Sequence, residues 1–255
     1  MWRRRRDPLV AALLVLVPGA VAAQGLFVEG GLSWARGDYV YTRQTSGGGA
    51  AVGLAWSSRR FTARVTLPFF VRDTRLLTVS GEEPPEGVED AVGPADYEGS
   101  VSDPLVQVYA QVLQARRTGI GLSASVKVPL VEAGYFGTGE WDVSVAASVS
   151  QFVGSATMLG LDVSYWRLGD MPDLDLQDTV TGTLTLGQAF GRAWTASLSF
   201  SGGRSAVAGY DDPWWAGLLV GRSFSRGIWG LTASIGLTDS APDFTVGLVW
   251  RARLD

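Results

Sequence analysis

The sequence predicts an all-β protein: a transmembrane antiparallel up-and-down β-barrel of about 12 strands, with both termini in the periplasm. Three observations predict this fold class. Apolar residues alternate with small polar residues at a period of two, the connectors between these segments are alternately short and long, and charged residues fall mostly in the connectors. Charged residues make up only 18% of the chain, whereas hydrophobic residues make up 46%. A soluble barrel would need more charge on its wet face.

The N-terminus has the three parts of an export signal. Residues 3–6 are four arginines, residues 9–17 are apolar, and small residues at 20–23 precede Gln24. The apolar run is far shorter than the roughly 20 residues of a membrane-spanning helix. We therefore predict a cleaved signal peptide over 1–23 and an outer-membrane β-barrel over 24–255. The compartment would be the outer membrane of a Gram-negative-type bacterium.

The strand pattern is clearest at WTASLSFS, residues 194–201. Its aromatic and aliphatic side chains point to one face of an extended chain, and its Ser and Thr side chains point to the other. Most segments with this pattern are near the ~9 to 11 residues that a tilted strand needs to cross a bilayer. The predicted strands are 26–35, 50–57, 61–71, 103–113, 119–129, 142–152, 156–166, 179–190, 193–202, 213–223, 227–237 and 243–253.

The connectors predict the orientation. Short links at 58–60, 114–118, 153–155, 191–192 and 225–226 alternate with longer ones, and bacterial outer-membrane barrels have short periplasmic turns and longer outer loops. Because twelve is even, both termini should lie on the periplasmic side. The longest connector, residues 72–102, is acidic and contains three prolines. It is expected to be a flexible outer loop that favours cations if it folds into the barrel.

The polar face of each strand carries Ser, Thr, Gly and Ala rather than charge, so it should line a lumen while the apolar face contacts lipid. Outer-membrane lipid and the barrel-assembly machinery are the expected partners. The last strand matches the usual closing pattern only in part: Thr245, Gly247 and Trp250 fit it, and Ala252 and residues 253–255 do not. Aromatic residues near strand ends are typical of interfacial girdles: Trp34, Trp56, Phe61, Trp141, Tyr165, Phe190, Trp194, Trp214, Trp229 and Trp250.

Alternation also predicts which larger polar side chains face the lumen: Glu29, Arg64, Gln107, Tyr109, Gln111, Lys127 and Asp162. Two interpretations fit these residues. The charges neutralise one another as bridges that rigidify the barrel, or they form a polar constriction that selects a small-molecule solute. Glu29 and Arg64 each lie near the periplasmic start of a strand, with one strand between them, and are expected to form an ion pair.

Composition excludes several functions. The chain has no histidine and no cysteine, which removes the commonest general base, the commonest metal ligand and all thiolate sites. We therefore expect no enzymatic activity, no catalytic residue, no cofactor and no metal site. A net charge of −4 with Lys127 as the single lysine argues against nucleic acid as a partner.

Five stretches resemble a known family in their order along the chain: SSRRFTARVTLPFF, GSVSDPLVQVYAQVL, SASVKVPL, GTGEWDVSVAASVSQF and PDFTVGLVWRARL. They resemble the outer-membrane family named for the MetA pathway of phenol degradation, whose members are described as transporters. The likeness extends over residues 51–253. It implies a barrel that acts as a narrow channel or transporter for small solutes, hydrophobic or aromatic ones among them. The alternative is a structural or adhesive surface barrel without transport.

Overall fold

The computed structural model describes residues 24–37, 45–73, 97–132, 138–170 and 176–255. None of these residues forms a helix long and apolar enough to cross a membrane. The predicted signal peptide, residues 1–23, and most of the predicted acidic loop lie outside the described residues. The strands of the described part are β1 (Gly25–Gly37), β2 (Thr45–Ser57), β3 (Phe61–Asp73), β4 (Tyr97–Val101), β5 (Leu105–Gln114), β6 (Thr118–Lys127), β7 (Asp142–Val153), β8 (Thr157–Arg167), β9 (Thr179–Phe190), β10 (Trp194–Gly203), β11 (Trp214–Phe224), β12 (Gly227–Gly236) and β13 (Phe244–Arg253).

These strands close into one antiparallel barrel. Except for β4 and β5, each strand pairs with its neighbours in sequence, and β1 pairs with β13 from Phe27 opposite Arg253 to Arg36 opposite Phe244. Both β4 and β5 pair with β3, one after the other, so together they form a single barrel strand. The wall therefore has twelve strands, which confirms the predicted all-β antiparallel barrel of about 12 strands.

The interruption between β4 and β5 has a local cause. Residues 67–68 of β3 face three residues, 102–104, so the register shifts by one between the Phe69–Val101 and Thr66–Leu105 pairs. Such a shift is a β-bulge. Pro68, whose carbonyl accepts from the Ser102 N–H, lacks the N–H that a regular ladder would use here.

One predicted strand boundary was wrong. We predicted that the fourth strand begins at 103 and that 72–102 is loop, but residues 97–101 already pair with residues 69–73 of β3. The short sequence YEGSV has Glu98 and Gly99 in place of a clear apolar alternation. Pairing with β3, rather than local pattern, makes this segment a strand.

All the short connectors lie at one end of the barrel, together with the start of β1 and the end of β13. They span 58–60, 115–117, 154–156, 191–193 and 225–226. Gly154 and Gly191 have φ of +74° and +62°, a conformation that glycine adopts more readily than other residues and that tight hairpins require.

The two faces of the wall differ as expected. Leu32, Leu184 and Leu198 are 57–58% exposed, whereas Ser197 and Ser201, which alternate with Leu198 along β10, are buried. An apolar surface this exposed on nearly every strand is the outer, lipid-facing surface of a membrane barrel. The Ser, Thr and Gly residues therefore lie on the inner face.

Candidate functional site

The inner face encloses a space that the wall residues fill unevenly. A strand spacing of ~4.8 Å and a tilt of ~40° give twelve strands a backbone diameter of about 24 Å. Along β7–β10 most inner residues are short, although Met158 and Trp166 of β8 also lie on this face. Several of the short ones bond to each other across strands, as in Ser164 with Thr181 at 2.6 Å and Thr183 with Ser201 at 3.0 Å. We call this surface the hydroxyl wall. It comprises Ser144, Ser148, Ser150, Ser164, Thr179, Thr181, Thr183, Thr185, Thr195, Ser197, Ser199 and Ser201.

The opposite wall carries an arginine cluster, which consists of Glu29, Arg64 and Arg251. Glu29 Oε2 lies 2.7 Å from Arg64 Nε, and Glu29 Oε1 lies 3.1 Å from Arg251 Nε. The expected Glu29–Arg64 ion pair is thus present. The Glu29 side chain is only 4% exposed, against 17% for Arg64 and 24% for Arg251. The carboxylate therefore lies beneath two guanidinium groups that reach the lumen.

Small residues on β2 allow the contact between Glu29 on β1 and Arg64 on β3, which passes over β2. The ladders place Gly53 and Ala55 between β1 and β3, with Gly53 opposite Glu29 and Ala55 opposite Arg64. Ala55 is fully buried. Longer side chains at these two positions would occupy the path by which Arg64 reaches Glu29.

Arg251 was not among the residues predicted from the sequence. It is the ladder partner of Glu29 on β13, and its guanidinium lies 3.9 Å from the centre of the Phe27 ring, a cation–π contact. Alternation with Trp250, an apolar residue of the outer face, is the signal that would have identified Arg251.

An amide chain continues from the arginine cluster around the wall. Arg64 Nη1 donates to Gln107 Oε1 at 3.3 Å, and Gln107 Nε2 donates to Ser125 Oγ at 3.2 Å. These bonds run from β3 over β5 to β6. They orient the Arg64 side chain because they fix it from the side opposite Glu29.

Tyr109 and Gln111 form a second contact lower on β5. The Tyr109 hydroxyl donates to Gln111 Oε1 at 3.0 Å, and Gln111 Nε2 donates to the Leu113 carbonyl at 2.8 Å. The Tyr109 ring lies over Gly121, where an added Cβ would come within 2.4 Å of a ring carbon. Glycine at 121 is thus required for the ring to lie along the wall, with its hydroxyl beside Ser148.

Lys127 belongs to a separate group at the loop end of the barrel, which we call the outer clamp: Asp103, Lys127 and Asp142. Lys127 Nζ lies 2.6 Å from Asp142 Oδ2 and 3.8 Å from Asp103 Oδ2. Asp103 Oδ1 also accepts from the backbone N–H groups of Leu130 and Val131 at 2.9 and 2.8 Å. The clamp thereby ties three chain segments together, and Lys127 is neutralised there.

Asp162 lies on the hydroxyl wall, near the Tyr109 hydroxyl. Its ladder neighbours are Ser148 on β7 and Thr183 on β9. Within the described part of the chain, no basic side chain forms an ion pair with it. Of the seven predicted lumen residues, the structure joins Glu29, Arg64 and Gln107 in one group and Tyr109 and Gln111 in another. Asp162 lies near Tyr109, and Lys127 belongs to the outer clamp.

Known structures share this architecture. The chain is similar to the crystal structure of an outer membrane channel from Pseudomonas putida F1, with a TM-score of 0.68 and 14% sequence identity over 92% of this chain and 98% of that one. The TodX monoaromatic hydrocarbon channel deltaS2 mutant aligns with a TM-score of 0.51 and 9% identity over 92% and 91% of the two chains. The sequence matches no protein-family model and no curated protein. At these identities the likeness establishes the fold alone: that of an outer-membrane β-barrel.

Proposed function

We propose that this protein forms a narrow channel or transporter for small solutes in a bacterial outer membrane. One observation carries the proposal: a closed twelve-strand barrel has a hydroxyl wall of short side chains along four consecutive strands, β7–β10. Eight-strand barrels are filled by their side chains, and barrels of 16–18 strands hold aqueous channels. Twelve strands with one short-lined wall leave room for a passage of intermediate width.

The class of solute, hydrophobic or aromatic molecules among others, rests on two likenesses. The sequence resembles the family named for the MetA pathway of phenol degradation, and one similar structure is a monoaromatic hydrocarbon channel. Glu29, Arg64, Gln107, Tyr109, Gln111, Lys127 and Asp162 would line the passage, with Arg251 added to them.

The cellular setting is part of the proposal. A signal peptide over 1–23 would direct export, the assembly machinery would insert the barrel, and the short turns and both termini would face the periplasm. A tag inserted at Gly209 should therefore be labelled on intact cells, and one at Arg117 should not. Labelling at Arg117 alone would reverse the orientation.

Solute flux through the purified, folded protein tests the channel. Reconstituted in liposomes, the wild type should admit arabinose and should conduct ions across a planar bilayer. Thr183→Trp or Ser199→Trp should reduce both measurements several-fold, because a large ring would project from the hydroxyl wall into the passage.

The matched control is Leu198→Trp, since Leu198 is adjacent to Ser199 but faces outward. It should leave flux unchanged. A wild-type barrel that shows heat-modifiable mobility, and is thus folded, yet admits no solute and carries no current would be a structural or adhesive barrel instead.

A further inference from the structure

The arginine cluster and Asp162 lie on opposite sides of the lumen. Glu29 is on β1 and Asp162 is on β8, and β8 is the sixth strand from β1 in either direction around the wall. In a barrel of twelve strands this separation is half of the circumference. Arg64 and Arg251 come from β3 and β13, on either side of Glu29.

The same residues also lie at one height. Counted from the end with the short turns, Glu29 is the fifth residue of β1, Arg64 the fourth of β3, Arg251 the third of β13 and Asp162 the sixth of β8. The four positions differ by at most three residues, which is about 7 Å along the axis of a tilted barrel. We call this level the charged waist.

Charge at the waist is unevenly distributed. On one side, two guanidinium groups outnumber one carboxylate, and that carboxylate is the most buried of the three. On the other side, Asp162 is flanked by Ser148 and Thr183. The waist therefore has a positive wall and a negative wall, and low-dielectric walls concentrate such a field in the lumen.

Arg251 has hydrogen-bonding capacity left for a solute. Its closest contact with Glu29 uses Nε, and its two terminal nitrogens donate to no other side chain or backbone carbonyl of the described residues. Two parallel N–H donors of a guanidinium match the two oxygens of a carboxylate. Arg64, in contrast, already donates to Glu29 and Gln107.

We propose that the charged waist selects small organic carboxylates over neutral or cationic solutes of similar size, with Arg251 as the residue that contacts them. This inference rests on the proposed channel function and names its solute class. Asp162 repels the carboxylate from the hydroxyl wall and so confines its path to the arginine side.

The experiment measures the permeability ratio of benzoate to potassium, from reversal potentials of the purified full-length protein in a planar bilayer under a potassium benzoate gradient. Arg251→Gln should lower the ratio about threefold, the effect of one unit charge several ångströms from the path in a largely aqueous medium. Asp162→Asn should raise it by a similar factor, and Arg251→Lys should give an intermediate ratio because the charge is kept but the paired N–H donors are lost.

Arg222→Gln is the matched control. Arg222 packs on the outward Trp194 ring at 5.3 Å, so its removal changes net charge equally but outside the lumen and should leave the ratio unchanged. Heat-modifiable mobility in gel electrophoresis shows whether each variant is folded.

Three results overturn the inference. If all folded variants conduct with the wild-type ratio, the carboxylate filter is wrong while the channel stands. If Arg251→Gln and Arg222→Gln change the ratio equally, the effect is one of total charge and not of the waist. If the folded wild type carries no current at all, the channel itself is wrong, and the filter with it.

Discussion

The two walls of the barrel provide partners for their inward polar side chains in different ways. Both present polar groups to the inside, and both follow the period-two pattern. The hydroxyl wall satisfies its short side chains through bonds between neighbouring strands, such as Ser164 with Thr181. The opposite wall, which carries the arginine cluster and is called the arginine wall below, uses long side chains that cross a strand, as Arg64 does to reach Glu29.

This difference shows how side-chain length alone, at a fixed number of strands, can place the passage nearer to one wall than to the other. Short side chains on one wall leave space beside them, and long side chains on the other wall are held down by ion pairs and amide bonds. Buried polar groups need such partners, because an unpartnered one costs free energy. The arginine wall should thus be more sensitive to loss of a single partner than the hydroxyl wall is.

The largest expected effect tests this asymmetry directly. Glu29→Gln removes the only carboxylate of the arginine cluster and leaves two like charges side by side, so we expect the free energy of unfolding to fall by about 3 kcal/mol. Denaturant unfolding in detergent micelles measures the change. Ser199→Ala on the hydroxyl wall, as the comparison, should change it by less than about 1 kcal/mol. Equal effects of the two substitutions would remove the distinction between the walls.

A second substitution sharpens the comparison at the border of the two walls. Gly121→Ala would put a Cβ within 2.4 Å of the Tyr109 ring, so the ring must move and stability should fall by about 1–3 kcal/mol. Gly182→Ala is the matched control, since the nearest atom to its added Cβ is 3.9 Å away.

Combining Gly121→Ala with Tyr109→Ala isolates the cause. If the clash destabilises the barrel, the alanine change at 121 should cost little once the ring is absent, and a double-mutant cycle of unfolding free energies would show coupling. Additive effects would mean that the glycine matters for another reason.

The smallest effect is expected at the seam where the barrel closes. Asp255 Oδ1 accepts from Arg253 Nε at 2.9 Å and from the Leu26 backbone N–H at 3.2 Å. The hydrogen bond from Arg253 is the main cause that holds the pKa of Asp255 below its usual value, and the Leu26 N–H adds to it.

The sign of the pH dependence follows from that lowered pKa. A carboxyl group with a lower pKa in the folded state stabilises the fold above its unfolded pKa, and the contribution disappears as pH falls through the folded pKa. Wild type and Asp255→Asn should differ slightly in stability at neutral pH and converge in acid. A difference that persists or grows in acid would contradict this assignment.

Local pattern alone determined most of the architecture. The span of β9, residues 179–190, was predicted at both ends, because Thr alternates with Val, Gly and Leu over 179–186 and each strand must present one face to lipid and one to the lumen. The same alternation selected Glu29, Arg64 and Asp162 as residues of the inner face.

Apart from the Glu29–Arg64 pair, only the tertiary structure decided which of these residues meet. Side-chain parity states the face of a residue but not its height, and strand register sets height through pairing with distant segments. For this reason Arg251 became a partner of Glu29, Asp103 and Asp142 joined Lys127 instead of standing as separate loop charges, and residues 97–101 became a strand. Each of these outcomes depends on a contact between chain segments that are far apart in sequence, and no local pattern encodes that contact.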